Sequence, residues 1–115
     1  MKRTSQLRRC NRARRKREFP RAYGSPERVA FVRAQPCVVR GCARRPCQNA
    51  HVESGGMGRK ANADKIVPAC QPHHYELDTQ GRESFERKYA LDLQHEAAAL
   101  EAKWQQAIAE TTHAF

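Results

Sequence analysis

Large apolar side chains are scarce in this chain. Leu, Ile, Val and Phe together number 17 of 115 residues, or 15%, and there is one Trp. A share below about 20% beside a high net charge is the composition of disordered chains, and the net charge here is +10. That shortage excludes a large enzyme with a deep apolar core. No run of about 18 apolar residues occurs, which excludes a bilayer-spanning helix. The basic N-terminus has no apolar stretch of the secretory type, so the expectation is a cytoplasmic chain with reduced cysteines. Nor is the cysteine count even: five thiols do not suit a closed disulfide framework.

Acid is almost missing from residues 1–21, where Glu18 alone faces ten Lys and Arg. Residues 22–115 are nearly neutral, with 12 basic and 11 acidic residues. Within them, 28–65 is basic (8 against 2) and 82–115 is mildly acidic (4 against 6). A like-charged block with little apolar content stays unfolded until a polyanion neutralises it. Residues 1–21 are therefore expected to be a disordered basic arm. Arg8, Arg9, Arg14, Arg15, Lys16 and Arg17 would sit on nucleic-acid phosphates, which position a protein without reading sequence.

What is present in quantity is Cys and His, five of each. A small domain short of apolar area often compensates with a structural metal. Cys37-x4-Cys42 closes on a Gly-Cys turn, and Cys70-x2-His73 follows a few dozen residues later. Two such pairs supply the four ligands of a tetrahedral zinc site. Cys42/Cys47 is an alternative first pair, and Cys37/Cys42 is preferred because its Gly suits a tight knuckle. His74 competes with its neighbour His73 for the same ion. Cys10 has no recognisable partner.

The remaining pattern predicts an α+β fold. Ser25-Pro26-Glu27 reads as a helix start, and Pro36 as its stop. Asn49–Glu53 and Ile66-Val67 read as short strands around a Gly-rich loop. One or two helical turns follow Cys70 and stop at Gly81. From Arg82 the chain is helical, with Asp92 capping a stripe of Leu93, Ala97, Leu100, Trp104 and Ile108. Trp104 and Tyr89 are expected as core anchors, and His95 and His113 as exposed helix residues without a role. Three segments result: the arm at 1–21, a metal-held core at 22–81, and C-terminal helices at 82–115 packed on that core.

Two features go beyond a structural zinc. His74 and Asp78 are spaced i, i+4 and share one helical face. Such a pair can hold a hard divalent cation, Mg2+ or Mn2+, with positions left for water and a phosphate oxygen. His51, on the first strand, could deprotonate the attacking water. Arg59, Lys60 and Lys65 in the adjoining loop could clamp the phosphate and stabilise its transition state. The chemistry would be phosphodiester hydrolysis.

This arrangement resembles the HNH endonucleases, the ββα-metal nucleases built on a treble-clef zinc scaffold. The likeness rests on Cys37-x4-Cys42, Ala50-His51-Val52, the run Gly55-Gly56-Met57-Gly58-Arg59-Lys60, and DKIVPACQPHHYELD from Asp64 to Asp78. It covers about residues 26–92 and is strongest to small phage and prophage members. The resemblance implies His51 as general base and His74 as a ligand of the catalytic ion, with Asp78 where a second helical ligand occurs. It places Cys37, Cys42, Cys70 and His73 at the structural zinc, and Lys60 and Asp64 in the subgroup's loop. It also implies DNA as partner and a bacterial host's cytoplasm as location. Three departures stand out. Ala50 occupies a position where many members carry a metal-binding residue. The family's central Asn has no clear counterpart, so Asn62 and Asp64 are both candidates for orienting His51. Asp78 replaces a third His. The competing expectation is a non-catalytic zinc module that binds nucleic acid, an accessory in recombination or packaging. A mainly disordered polyanion binder without stoichiometric zinc is a third.

Overall fold

A computed structural model describes residues 16–53 and 60–113 of the chain. Arg59 and the arm residues Cys10, Arg8, Arg9, Arg14 and Arg15 lie outside the described residues.

Residues 16–23 are helical (α1), so 16–21 depart from the disordered arm expected of their charge. Burial explains the difference: Ala22 is almost fully buried, and Phe19 and Tyr23 stack at 5.6 Å between ring centroids. Gly24 turns the chain at a φ of +85°, a conformation that favours glycine. A Cβ there would also come within 2.8 Å of Arg28 Cδ. Helix α2 spans Pro26–Arg33, and the Ser25 hydroxyl caps it by accepting from the Arg28 N–H at 3.1 Å.

Strands β1 (Gln48–His51) and β2 (Ile66–Ala69) pair antiparallel, with Ala50 opposite Val67 and His51 opposite Ile66. The first strand thus begins and ends earlier than the alternation suggests. Pro68 is tolerated because each strand of a two-stranded sheet has an open edge. A 3₁₀ turn, Ala63–Lys65, leads into β2. Every β2 residue is buried, because α2, α3 and α5 all pack against that strand.

Helix α3 (Gln71–Gln80) starts directly after Cys70, with Pro72 in its first turn, and stops at Gly81. It is longer than the one or two turns its sequence suggests. Helix α4 spans Arg82–Tyr89 and ends on Ala90, a non-glycine residue in the left-handed region. Helix α5 covers Leu93–His113, and its first turn is capped where Asp92 Oδ1 accepts from the His95 N–H. Leu93, Ala97 and Leu100 are buried, Trp104 is half-buried against Phe31, and Ile108 lies 38% exposed at the end of the stripe.

The main core joins Cys37, Val39, Ala50, Val67 and Cys70 to Leu77, Phe85, Leu91 and Leu93. One apolar unit therefore joins residues 22–81 to the helices that follow. A second cluster of Val32, Ile66 and Leu100, flanked by Tyr23 and Phe31, ties α1 and α2 to α5. Arg28, 3% exposed, crosses this layer to Glu101 at 2.7 Å. Among the described residues no helix is long and apolar enough to cross a membrane.

Candidate functional site

Two arrangements lie on either side of α3. The first is partly buried, with Cys37 and Cys70 inside and Cys42 and His73 half-buried. Cys37 and Cys42 come from the knuckle after α2, Cys70 from the N-cap of α3 just past β2, and His73 from the first turn of α3. Their ligand atoms all lie within 4.8 Å of one another. His73 Nδ1 is 3.3 Å from Cys37 Sγ and 3.2 Å from Cys70 Sγ, and the Cys42 and Cys70 sulfurs are 3.9 Å apart. Zinc–sulfur bonds of about 2.3 Å at tetrahedral angles put sulfurs roughly 3.8 Å apart, so this Cys3His set fits a zinc ion. Burial pushes the Cys37 thiol up to about 12 in the metal-free protein. Cys42 is held low, chiefly by the Arg44 backbone N–H. Around the set, the Tyr89 ring meets His73 edge-on at 5.4 Å, and Tyr89 donates to Glu76 at 2.6 Å.

Cys47 stays outside this group. It is buried, its thiol donates to the Arg44 carbonyl at 3.4 Å, and burial raises its pKa. The Cys42/Cys47 pairing is therefore not the one the fold assembles. All four described cysteines are free thiols.

The second arrangement is an open cleft of about 560 Å³. His51, Asn49, Lys60, His74, Asp78 and Arg82 are among the residues that line it. His74, next to His73 in sequence, turns away from the cysteines. Its Nδ1–H donates to Gln48 Oε1 at 2.7 Å, and its Nε2 lies 3.5 Å from Asp78 Oδ2. The fold thus answers the rivalry between the two histidines: His73 joins the cysteines and His74 faces the cleft.

His51 is half-buried on β1, with Ala50 on the opposite face of the strand and fully buried. Its Nε2–H donates to the Ala22 carbonyl at 2.7 Å, and the Tyr23 ring meets it edge-on at 5.1 Å. Burial lowers the His51 pKa below its ordinary value. The Lys60 and Arg21 charges act in the same direction, while the Ala22 and Ala61 backbone opposes them. His51 is therefore neutral near pH 7, with its lone pair on Nδ1.

The candidates for orienting His51 lie elsewhere. Asn62 accepts from Arg21 Nη1 at 3.2 Å, and Asp64 is exposed on the 3₁₀ turn. Neither they nor Lys65 is among the cleft-lining residues. Lys60 is: its Nζ lies 5.6 Å above the Tyr23 ring, and its carbonyl accepts from Arg21 at 2.8 Å. Lys16 and Arg17 are exposed on α1. Three residues that sequence reasoning missed belong to this site: Ala22 and Tyr23, which hold His51, and Gln48, which holds His74.

No family model matches the chain. It is 37% identical over 68 residues to the uncharacterized protein YdfU of Escherichia coli (strain K12). That match covers 56% of this chain and 18% of YdfU, so the chain spans under a fifth of that protein. No solved structure matches.

Proposed function

We propose that this chain is a metal-dependent endonuclease of the HNH type, with a treble-clef zinc scaffold, that hydrolyses DNA phosphodiester bonds. The observation that carries the reading is the division between two adjacent histidines. His73 lies within 3.3 Å of two cysteine sulfurs, while His74 is bonded to Gln48 and directed at Asp78 in the cleft that His51 lines.

In this reading Cys37, Cys42, Cys70 and His73 hold a structural zinc, and His74 with Asp78 would hold Mg2+ or Mn2+. Bound there, such an ion supplies Lewis-acid stabilisation of charge on the phosphate. His51 Nδ1 takes the proton of the attacking water, and the Ala22 carbonyl keeps the ring in the tautomer that permits this. Lys60 sets positive charge beside the phosphate as charge develops on it. The basic arm brings DNA to the cleft through its phosphates.

The second reading, a non-catalytic zinc module that binds nucleic acid, draws on one observation. Ala50 is buried and offers no ligand, and Glu53, the other carboxylate lining the cleft, faces Arg82 at 3.9 Å, which leaves His74 and Asp78 for the catalytic ion among the described lining residues.

Nicking of supercoiled plasmid in Mg2+ or Mn2+ separates the two. The wild type is expected to nick, and His51→Ala to lose at least about 100-fold, the lower end of a general base's contribution. Intact DNA binding without nicking by either protein would establish the accessory reading instead.

A further inference from the structure

The zinc knuckle gathers three arginines that the chemistry above does not use. Arg33 ends α2, and its carbonyl accepts from the Cys47 N–H at 2.9 Å. The Cys47 thiol donates to the Arg44 carbonyl, and Arg45 lies between these two residues in sequence. Arg33, Arg44 and Arg45 are thereby collected around one buried thiol. All three side chains are exposed, and none has an ion-pair or hydrogen-bond partner among the described residues. Arg21, Arg28 and Arg82 differ: each is bound to an oxygen of the protein.

A cleft of about 450 Å³ lies beside the cluster, lined by Arg33, Pro46, Cys47, Gln48, Asn49 and Gln71. It adjoins the cleft of His51 and His74, because Asn49 lines both. Gln48, on its wall, also holds the His74 ring. The backbone thus brings three exposed arginines to one stretch of surface, no acid lines the cleft beside them, and such a concentration of positive charge favours a polyanion. The planar guanidinium fork fits a phosphate in two-point contact. The amides of Gln48 and Gln71 supply neutral donors of the kind that contact phosphate and sugar.

We propose that Arg33, Arg44 and Arg45 bind backbone phosphates of the DNA strand to one side of the cleaved bond. The strand then runs from the knuckle along β1 to His51. That DNA is the ligand rests on the endonuclease reading. The position of the surface rests on the two adjoining clefts.

The test is equilibrium binding of a short labelled DNA duplex across a salt series, followed by fluorescence anisotropy, with no Mg2+ or Mn2+ added. Each phosphate contact contributes about 0.9 to the slope of log K against log salt. The Arg33→Gln/Arg45→Gln double variant is expected to lose about 2 from that slope, and Arg44→Gln alone about 1. Arg87→Gln/Lys103→Gln removes the same charge from α4 and α5 and is expected to leave the slope unchanged. Zinc content and a thermal melt verify the fold of each variant. An unchanged slope in the knuckle variants, or an equal loss in the α4/α5 control, overturns the proposal. If the slope falls as expected while the nicking assay fails, the surface stands and the endonuclease reading falls. Nicking without a slope change removes the surface alone.

Discussion

The His51 ring hangs from the Ala22 carbonyl, 29 residues earlier in the chain, by a hydrogen bond of 2.7 Å. The last turn of the basic helix thus fixes the proposed base, and Tyr23 covers its edge at 5.1 Å. The neutral ring is expected to carry its proton on Nε2 and to titrate below its ordinary 6.5, because burial disfavours the cation. A depressed folded-state pKa contributes stability that is present above the unfolded value and is lost as pH falls through the folded one. Long-range 15N NMR of the His51 ring checks both points. A proton on Nδ1 in the neutral ring, or a midpoint above 6.5, contradicts them. Tyr23→Ala, which exposes the ring, is expected to move the midpoint upward.

Zinc is expected to hold the core together. In small zinc-finger peptides the ion contributes roughly 10–16 kcal/mol at neutral pH, as much as the whole stability of an ordinary domain. Chelation should therefore unfold the protein, as read by circular dichroism. His73→Ala should lose zinc, while His74→Ala should retain about one equivalent by elemental analysis. Uptake should release protons and weaken as pH falls, since the Cys37 thiol, at about 12 without metal, must give up its proton to ligate.

Much of this was legible in the residues because the chemistry itself is local. Cys70-x2-His73 lies on one strand end and one helical turn, so its spacing fixes its geometry. His74 and Asp78 share a helix face for the same reason. The Ser25 and Asp92 caps depend only on side chains three residues from their partners. The partners of His51 and His74 were not legible, because a backbone carbonyl and a glutamine carry no pattern. Ala22 reaches His51 only once α1 is folded, and by charge alone most of α1 reads as an unfolded arm. Ala22, Phe19 and Tyr23 are the apolar signal that the count of arginines masked.

Gln48 should matter to the cleft alone. Residues that orient a ligating His commonly change metal affinity by about 10–100-fold when removed. Gln48→Ala is expected to weaken Mn2+ binding by about that factor, measured by calorimetry, with zinc content unchanged. Loss of zinc, or unaltered Mn2+ affinity, contradicts the role given to the 2.7 Å contact with His74.

Glu101 should matter to stability alone. It pairs with Arg28 at 2.7 Å, and Arg28 Nη1 is already buried without a partner. Removing one member of a buried pair costs about 3–5 kcal/mol, because the other charge is stranded. Glu101 is 29% exposed, so Glu101→Ala is expected near the lower end, about 3 kcal/mol in chemical denaturation. A change below about 1 kcal/mol would mean that solvent screens the pair.

The separation of His73 from His74 is tested most directly by crystals grown with zinc and soaked in Mn2+, with anomalous scattering measured at both absorption edges. Two peaks are expected: zinc among Cys37, Cys42, Cys70 and His73, and manganese against His74 and Asp78 in the cleft beside His51. A single peak, or His74 on the zinc, would contradict the division of labour on which the proposed catalysis depends.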